Sequence, residues 1–310
     1  MRFVMMDARG GPQLGMLDGD HVLAFAPLAT LASRAARGKA RRAAAEIPDD
    51  LLSFVESGSL AQAKAVLALG RGLLATGKAR GVAVPVSKAR LVAPIPRPRK
   101  NIFCMGRNYA EHAKESGSNV PTVPVFFTKP PTCVVGPEAP VTHHAVTQAL
   151  DYEVELAVVI GRRGRDIPVE RALDYVFGYT IMNDVTARDL QRRHEQWFKG
   201  KSLDTFAPMG PAVVHRSLVP NPQNLRLRTR VNGEVRQDAS TSSMVFTVAQ
   251  LISALSAGMT IEPGDLLATG TPEGVGMGRT PPLWLKPGDV VEAEIDGIGT
   301  LRNRIVAPSR

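Results

Sequence analysis

The sequence has few cysteines, few aromatic residues and no long apolar run. Cys104 and Cys133 are the only cysteines among 310 residues, so a disulfide framework is not expected and a reducing cytoplasm suits the chain. We expect both thiols to be buried as small hydrophobic groups. No apolar stretch approaches the roughly 20 residues that a membrane-spanning helix needs. The N-terminal stretch MRFVMMDARGGPQLGMLDGD lacks the apolar segment of a signal peptide, and its aspartates argue against a transit peptide.

Basic residues outnumber acidic ones, and the formal net charge is +9. Such a balance can serve solubility alone, or it can attract anions, either a small carboxylate substrate or nucleic acid. Five basic residues cluster between Arg34 and Arg42, but the cluster is rich in alanine and has no aromatic side chain on which bases could stack. We interpret this stretch as the solvated face of a helix, and nucleic acid is not an expected partner.

The length and the hydrophobic fraction of 44% allow two domains, whose cores must be mainly aliphatic because aromatic residues make up only 5%. RFVMM and, after a Gly-Asp turn, HVLAF predict a hairpin, and helices are expected around residues 28–46 and 50–70. Pro94, Pro96 and Pro98 then favour an extended linker. We place a small α+β N-terminal domain at residues 1–96 and a second domain at residues 97–310.

Most predicted elements beyond the linker are strands. The strand-like segments are NIFCMG, VPVFFTK, YEVELAVVIG, YVFGYTIMND, APMGPAVV, LRLRTRVNG, DLLATGT and DVVEAEIDG, and the helical ones are NYAEHAKE, VERALDYV, TARDLQRRHE and VAQLISALS. Because the strands outnumber the helices and do not alternate with them regularly, the sequence predicts an α+β fold and not a doubly wound one.

Three carboxylates are candidate metal ligands. Glu153 and Glu155 are two residues apart in a predicted strand and would point to the same face. Adjacent anions repel unless a cation lies between them, and their oxygen atoms suit a hard divalent cation. Asp184 precedes a helix for which Thr186 and Asp189 resemble a capping box, so Asp184 is free for another role. The alternatives are two surface glutamates on a half-exposed strand and a structural aspartate near a helix N-terminus.

His112 and Glu115 lie on one face of a predicted helix, where a carboxylate can orient an imidazole as a general base. The alternative is an ordinary solvent-exposed pair. The sequence GKS at Lys201 is not a phosphate-binding loop, because Glu195 occupies the place of its first glycine. The loop ATGTPEGVGMG follows a predicted strand, and its backbone N–H groups could bind a carboxylate, or it is simply flexible.

Six strings occur together in one order: GRNYAEHAKE, FFTKPPT, DYEVELAVVIG, GYTIMNDVTARDLQ, GKSLDTFAPMGP and LLATGTPEGVG. With them, the stretch from Asn101 to Val306 resembles the catalytic domain of fumarylacetoacetate hydrolase-type enzymes. The N-terminal part is loosely similar to the small domain that often precedes it. The resemblance implies a mixed β-sheet roll with flanking helices, usually dimeric, that holds Mg²⁺ (or Mn²⁺ or Ca²⁺) on the three carboxylates named above.

The resemblance also implies roles for residues of the pocket. His112 and Glu115 correspond to a catalytic dyad in a segment that commonly forms a lid, and Lys201 corresponds to the active-site lysine. The positions that match the substrate pocket are Arg107, Tyr109, Gln191 and Thr271.

The expected substrate is a small anionic 2-oxo acid, and the expected reaction is cleavage of a C–C bond in an acylpyruvate to give pyruvate and a carboxylate. The metal would polarise the 2-oxo group, His112 would deprotonate a water, and Lys201 would offset the charge that develops on oxygen. The same core would also serve an isomerase of 5-carboxymethyl-2-hydroxymuconate-type diacids or an oxaloacetate decarboxylase. The intact dyad favours hydrolysis, because only hydrolysis requires an activated water.

Overall fold

The chain folds into a mixed α+β structure, as predicted, in a computed structural model that describes residues 1–8, 10–35 and 48–308. The helices in those residues are α1 (Phe25–Ala35), α2 (Leu51–Ser57), α3 (Leu60–Ala75), α4 (Ala110–Glu115), α5 (Arg188–Arg193), α6 (Phe198–Lys201) and α7 (Val248–Ser256). The first strands are β1 (Arg2–Ala8), β2 (Gly11–Asp18), β3 (His21–Ala24), β4 (Ala83–Pro85) and β5 (Leu91–Val92). Short helices therefore surround a strand-rich centre.

The strands beyond the proline-rich segment form most of that centre. They are β6 (Ile102–Gly106), β7 (Val125–Lys129), β8 (Val134–Val135), β9 (Pro140–Thr142), β10 (Leu150–Asp151), β11 (Val154–Ile160), β12 (Val176–Asn183), β13 (Thr186–Ala187), β14 (Ala207–His215), β15 (Arg226–Val231), β16 (Glu234–Ser240), β17 (Leu266–Ala268), β18 (Val290–Ile295) and β19 (Gly299–Val306). All eight predicted strands of this part are present.

Two large sheets organise these strands. The larger sheet runs β4-β3-β2-β1-β14-β12-β11-β17-β6-β7, with β5 paired to β1 and β8 paired to β14. The smaller runs β16-β15-β18-β19-β9. Most pairs are antiparallel, but β6 with β17, β8 with β14 and β9 with β19 are parallel. Each of the two sheets therefore contains both parallel and antiparallel pairs, in keeping with the predicted mixed sheet.

Strand β11 lies at the centre of the core and is buried on both faces. Leu156 and Val158 pack toward the smaller sheet, in one cluster with Leu227 of β15. Ala157 and Val159 belong to the cluster on the opposite face, which also contains residues of α1, α2 and α3. Burial on both faces explains why β11 is a nearly continuous apolar run without alternation.

The ends of four neighbouring strands meet at one edge of the larger sheet. In the register, Val154 at the start of β11 is opposite Asn183 at the end of β12. Strand β17 is antiparallel to β11, and β6 is parallel to β17. The start of β11 and the ends of β12, β17 and β6 therefore lie side by side, so the residues just outside these strands can converge.

Several local predictions need correction. HVLAF pairs with β2 and not with RFVMM. The pattern missed β2 because its two glycines and one proline are poor strand formers. The helix expected at residues 50–70 is two helices, separated at Gly58 and capped by Ser59. VERALDYV is a 3₁₀ helix. The end of the helix expected at 28–46, and the side chains of the Arg34–Arg42 cluster, lie outside the described residues.

The predicted capping box at α5 is wrong. Thr186 belongs to β13, and its hydroxyl donates to the carbonyl oxygen of Asp184 at 2.8 Å. Asp189 instead accepts bonds from Thr147 Oγ1 at 2.6 Å and Gln148 N at 2.9 Å. Because the chain enters α5 from a short strand, the geometry that a capping box requires is absent.

One expectation about burial is met. Both cysteine thiols are free and buried, as predicted. In the described part of the chain, no helix is both long enough and apolar enough to cross a bilayer.

The division at residue 97 stays a prediction, but the larger sheet runs across it. Phe3 of β1 pairs with Val213 of β14. The Phe3 ring also lies 5.1 Å from Phe54 and 5.4 Å from Phe177, measured between ring centroids. Phe177 belongs to β12, so an aromatic cluster joins the segment before residue 97 to the segment after it.

We expect Phe3→Ala to lower the free energy of unfolding by about 3–5 kcal/mol, because a fully buried ring would leave a cavity. The two tryptophans, Trp197 and Trp284, both lie beyond residue 97, so denaturant unfolding followed by tryptophan fluorescence reports on that segment. The fluorescence midpoint should shift, since the cluster spans both segments. Val123→Ala, at an exposed position, should change stability by less than about 0.5 kcal/mol. An unshifted fluorescence midpoint in Phe3→Ala would mean that the two segments unfold independently.

Candidate active site

A cavity of about 440 Å³ lies at the edge where the four strands end. It brings together most of the predicted site residues, namely Arg107, His112, Glu115, Glu153, Glu155, Gln191, Lys201 and Thr271. Asp184 and Tyr109 are fully buried behind the lining. The cavity is therefore the candidate active site.

Glu153, Glu155 and Asp184 form a compact buried cluster. One carboxylate oxygen from each lies within 4.8 Å of the others. Glu153 and Glu155 are only 3% and 1% exposed, which excludes the alternative of two surface glutamates. The backbone sets their positions, because Asp184 N donates to Glu153 O at 2.8 Å and Glu153 N donates to Asn183 Oδ1 at 2.9 Å.

Three buried cations contact two of these carboxylates. Lys201 Nζ donates to Glu153 Oε2 and to Asp184 Oδ2, both at 2.7 Å. Lys129 Nζ donates to the other oxygen of Asp184 at 2.5 Å, and Arg188 Nη2 lies 2.6 Å from Glu153 Oε1. Lys129 and Arg188 were missed in the sequence, although a lysine that ends an apolar strand is a signal that could have been followed.

The third carboxylate is left without a cation. Glu155 Oε2 accepts a bond from Gly270 N at 2.7 Å, and no lysine or arginine within the described ranges forms an ion pair with it. Burial, followed by the charges of Asp184 and Glu153, raises the pKa of Glu155 well above its ordinary value. Burial acts in the same direction on Glu153, but Lys201 and Arg188 outweigh it and hold its pKa below the usual range.

These charges fit a divalent cation. A buried carboxylate that repels two neighbouring anions is stabilised by a positive charge placed among the three. Carboxylate oxygens are the ligands that hard divalent cations prefer. Glu153, Glu155 and Asp184 could therefore hold a metal ion, with the greatest gain for Glu155.

Helix α4 carries His112 and Glu115 into the cavity. His112 is only 6% exposed, which excludes a solvent-exposed pair. Its Nδ1 lies 3.4 Å from Glu115 Oε2, a long contact. Glu115 is held more firmly by the glycine loop, because Gly274 N donates to both of its oxygens at 3.0 and 3.1 Å. A side chain at Gly278 would collide with it, since a Cβ there would lie 2.0 Å from Glu115 Cδ.

The glycine loop after β17 does bind carboxylates, but they are the protein's own. Besides the bonds to Glu115 and Glu155, Gly276 N donates to Asp151 Oδ1 at 2.7 Å. Asp151 in turn accepts a bond from Arg188 Nε at 2.8 Å. Asp151 is fully buried and was not singled out in the sequence. The loop is thus hydrogen-bonded to α4 through Glu115, to the carboxylate cluster through Glu155 and, by way of Asp151, to Arg188.

The remaining predicted residues differ in how they meet the cavity. Gln191 and Thr271 line it, held by hydrogen bonds from Arg188 at 3.2 Å and from Gln237 at 2.8 Å, respectively. Tyr109 does not line it. Its ring packs in the core cluster below, and its hydroxyl is buried with no hydrogen-bond partner among the described residues. Burial raises the pKa of this hydroxyl above its ordinary value.

Residues 101–306 match the family model described as fumarylacetoacetate (FAA) hydrolase C-terminal. This match covers well over half of the chain. The chain belongs to the fumarylacetoacetate hydrolase family. All ten predicted site residues lie within the part that matches the family model.

Relatives in this family carry different activities in their names. Oxaloacetate tautomerase YisK of Bacillus subtilis (strain 168) is 56% identical over 223 residues, which cover 71% of this chain and 74% of that protein. The solved fumarylacetoacetate hydrolase from psychrophilic Exiguobacterium antarcticum is 38% identical, with a TM-score of 0.76 over 99% of this chain and 100% of that one. The solved 5-carboxymethyl-2-hydroxymuconate delta-isomerase from Mycobacterium smegmatis is 32% identical, with a TM-score of 0.73 and the same coverage.

Metal uptake should release protons, and the metal affinity should fall as the pH falls. The raised pKa of Glu155 keeps its carboxyl protonated at a pH where an ordinary glutamate has ionised, and a ligand must be the carboxylate. Calorimetric titration of Mn²⁺ or Mg²⁺ into chelator-treated protein, in buffers of different ionisation enthalpy, measures both effects. Glu155→Gln should abolish the proton release and weaken binding by more than the roughly 10–100-fold typical of losing an outer partner.

The matched control for this titration is Glu195→Gln, because Glu195 lines the same cavity outside the carboxylate cluster. It should keep the parent's metal affinity and proton release. If Glu155→Gln bound the ion as tightly as the parent does, the assignment of Glu155 as a ligand would be wrong.

Proposed function

We propose that this protein is a Mg²⁺-dependent enzyme that interconverts the keto and enol forms of a small 2-oxo diacid, with oxaloacetate as the first substrate to test. One observation carries the proposal. One cavity is lined by two glutamates of a carboxylate cluster that suits a divalent cation, by His112, the candidate general base, and by a buried cation, Lys201. The name of the 56% identical relative supports the same reaction class. This places isomerisation ahead of the hydrolysis that the sequence favoured.

Tautomerisation moves one proton from C3 of the substrate and adds one at the 2-oxo oxygen. A divalent cation on the cluster would supply Lewis acidity toward the 2-oxo and carboxylate oxygens. His112 takes the C3 proton, and the electron pair of the broken C–H bond becomes the C2–C3 double bond. Lys201 offsets the negative charge that grows on the 2-oxo oxygen, and this oxygen then takes up the proton that His112 releases, directly or through solvent. Glu115, fastened to Gly274, positions the imidazole.

The two candidate reactions demand different things of His112. For hydrolysis, His112 must hold and deprotonate a water that attacks a second carbonyl, whereas tautomerisation needs only a base next to C3. The long His112–Glu115 contact suits the simpler task, since Glu115 is engaged mainly by the loop. Hydrolysis stays the second candidate, because the dyad is intact and a solved relative is named a fumarylacetoacetate hydrolase.

We expect His112→Ala to slow oxaloacetate tautomerisation by about 10²–10⁴-fold, the usual contribution of a general base. The measurement is the loss of enol absorbance after crystalline enol-oxaloacetate is dissolved with protein and Mg²⁺. Glu115→Gln should be milder, because an amide oxygen can still accept the bond from Gly274 N. Metal affinity should be retained in both variants, since neither residue belongs to the carboxylate cluster.

Pyruvate release, followed with lactate dehydrogenase, separates the candidates. With acetylpyruvate as substrate, the parent should release pyruvate more slowly than it tautomerises oxaloacetate. Rapid pyruvate release that His112→Ala abolishes, together with no tautomerase activity, would replace the proposal with C–C hydrolysis.

We also propose that the protein is a homodimer, as the resemblance implies. Light scattering at micromolar concentration should then give twice the chain mass of 33.3 kDa. A mass equal to that of one chain would contradict the assembly without touching the proposed chemistry.

A further inference from the structure

Arg107 is a cation of the cavity lining that has no protein anion. Arg188 and Lys201, deeper in the cavity, each contact a carboxylate within 3 Å. Arg192, another arginine of the lining without a carboxylate partner among the described residues, donates from Nε to Arg188 O at 3.3 Å. By contrast, no carboxylate of residues 1–8, 10–35 and 48–308 forms an ion pair with Arg107, and its guanidinium lies over the Trp197 ring. Its guanidinium is therefore available to an anion that enters the cavity.

The backbone at Arg107 has a strained conformation that neighbouring hydrogen bonds hold in place. Arg107 has φ of +59°, a left-handed conformation that is strained for a side chain with Cβ. The next residue holds it there, because the fully buried Asn108 side chain donates to Phe246 O at 3.0 Å and Thr269 O at 2.8 Å and accepts from Phe246 N at 2.8 Å. The chain thus tolerates strain at the residue that presents this guanidinium to the cavity.

An aromatic platform fixes the side chain as well. The guanidinium carbon of Arg107 lies 5.1 Å from the centroid of the Trp197 ring. Trp197 packs on Gly106, where a Cβ would lie 2.2 Å from the ring, and its centroid is 5.5 Å from that of Phe127. Lys201 Nζ lies 5.1 Å from the centroid of Phe127. The Arg107 guanidinium, the rings of Trp197 and Phe127, and the Lys201 ammonium therefore form one run of contacts along the cavity lining.

The two ends of the cavity differ in what they can bind. At the buried end, Lys201 and Arg188 are held by protein carboxylates, and a divalent cation on the carboxylate cluster would take the oxygens of the 2-oxo acid there. At the outer end, Arg107 is unpaired and pre-positioned, and a planar guanidinium matches a carboxylate with two parallel hydrogen bonds.

We propose that Arg107, stacked on Trp197, binds the distal carboxylate of the substrate and so selects diacids over monoacids. The inference rests on the proposed function for the identity of the reactive end, and it assigns the substrate class of the same cavity. Arg107 is thus the specificity-determining residue for the second negative charge.

The test compares two unreactive ligands, malate and lactate, which share a 2-hydroxy acid end and differ by the distal carboxylate. With Mg²⁺-loaded protein, calorimetry should show tighter binding of malate. Arg107→Leu should weaken malate binding by about 10–100-fold, the value of a lost charge-assisted pair, and should change lactate binding by less than about threefold. Arg107→Lys should restore part of the preference, because it keeps the charge without the planar fork.

A matched control is Arg193→Leu, which removes the same charge from the exposed end of α5, outside the cavity lining. It should leave the preference for malate unchanged. Equal weakening of malate and lactate in Arg107→Leu, a parent without any preference, or an equal effect of Arg193→Leu would each overturn the inference.

Kinetics separate this inference from the proposed function. In Arg107→Leu, the KM for oxaloacetate should rise more than kcat falls. A parent that prefers malate through Arg107 but does not tautomerise oxaloacetate would refute the reaction and leave the selectivity standing. A parent that tautomerises oxaloacetate while Arg107→Leu keeps the preference for malate would refute the selectivity alone.

Discussion

Repulsion among three buried carboxylates determines where the rest of the active site needs positive charge. Glu153, Glu155 and Asp184 are all buried, and charges among buried groups interact more strongly than charges in bulk solvent. Lys201, Lys129 and Arg188 form ion pairs with two of the three carboxylates, Glu153 and Asp184. The third, Glu155, accepts a bond from Gly270 N and pairs with no lysine or arginine in the described part of the chain. Without a cation, the raised pKa of Glu155 favours its protonated form. A divalent cation would stabilise all three groups as carboxylates.

The glycine loop after β17 distributes this electrostatic order over the cavity. Its backbone N–H groups donate to Glu155 of the carboxylate cluster, to Glu115 of α4 and to Asp151. Asp151 in turn accepts a bond from Arg188. These acids lie far apart in sequence but share one loop, so a shift of the loop would alter the hydrogen bonds of all three. Gly278 shows the steric side of the same constraint, because any side chain there would occupy the volume of the Glu115 carboxylate.

Local patterns predicted the parts of the site that local geometry determines. The period of two along a strand placed Glu153 beside Glu155. Asp184 was grouped with them only by the resemblance to the family. Lys129 and Arg188 were missed because a basic residue in a short string looks the same whether its charge meets solvent or a buried acid. The pairing of β1 with β14 joins segments distant in sequence, so no local pattern could predict the continuous sheet. Because β2 has weak strand propensity, the strand that pairs with both β1 and β3 was not predicted either.

The interior and the mouth of the cavity differ in how far they can change. Replacing Lys201 would leave Glu153 and Asp184 with an unbalanced buried charge, a loss that typically costs a fold several kcal/mol. Arg107 pairs with no carboxylate among the described residues, so its replacement leaves no described buried charge unpaired. The fold therefore constrains the residues that act on the reactive end much more than the residue at the distal end. In the proposed mechanism, substitutions at Arg107 and Trp197 would change which substrate is preferred while the proposed proton-transfer groups stay in place.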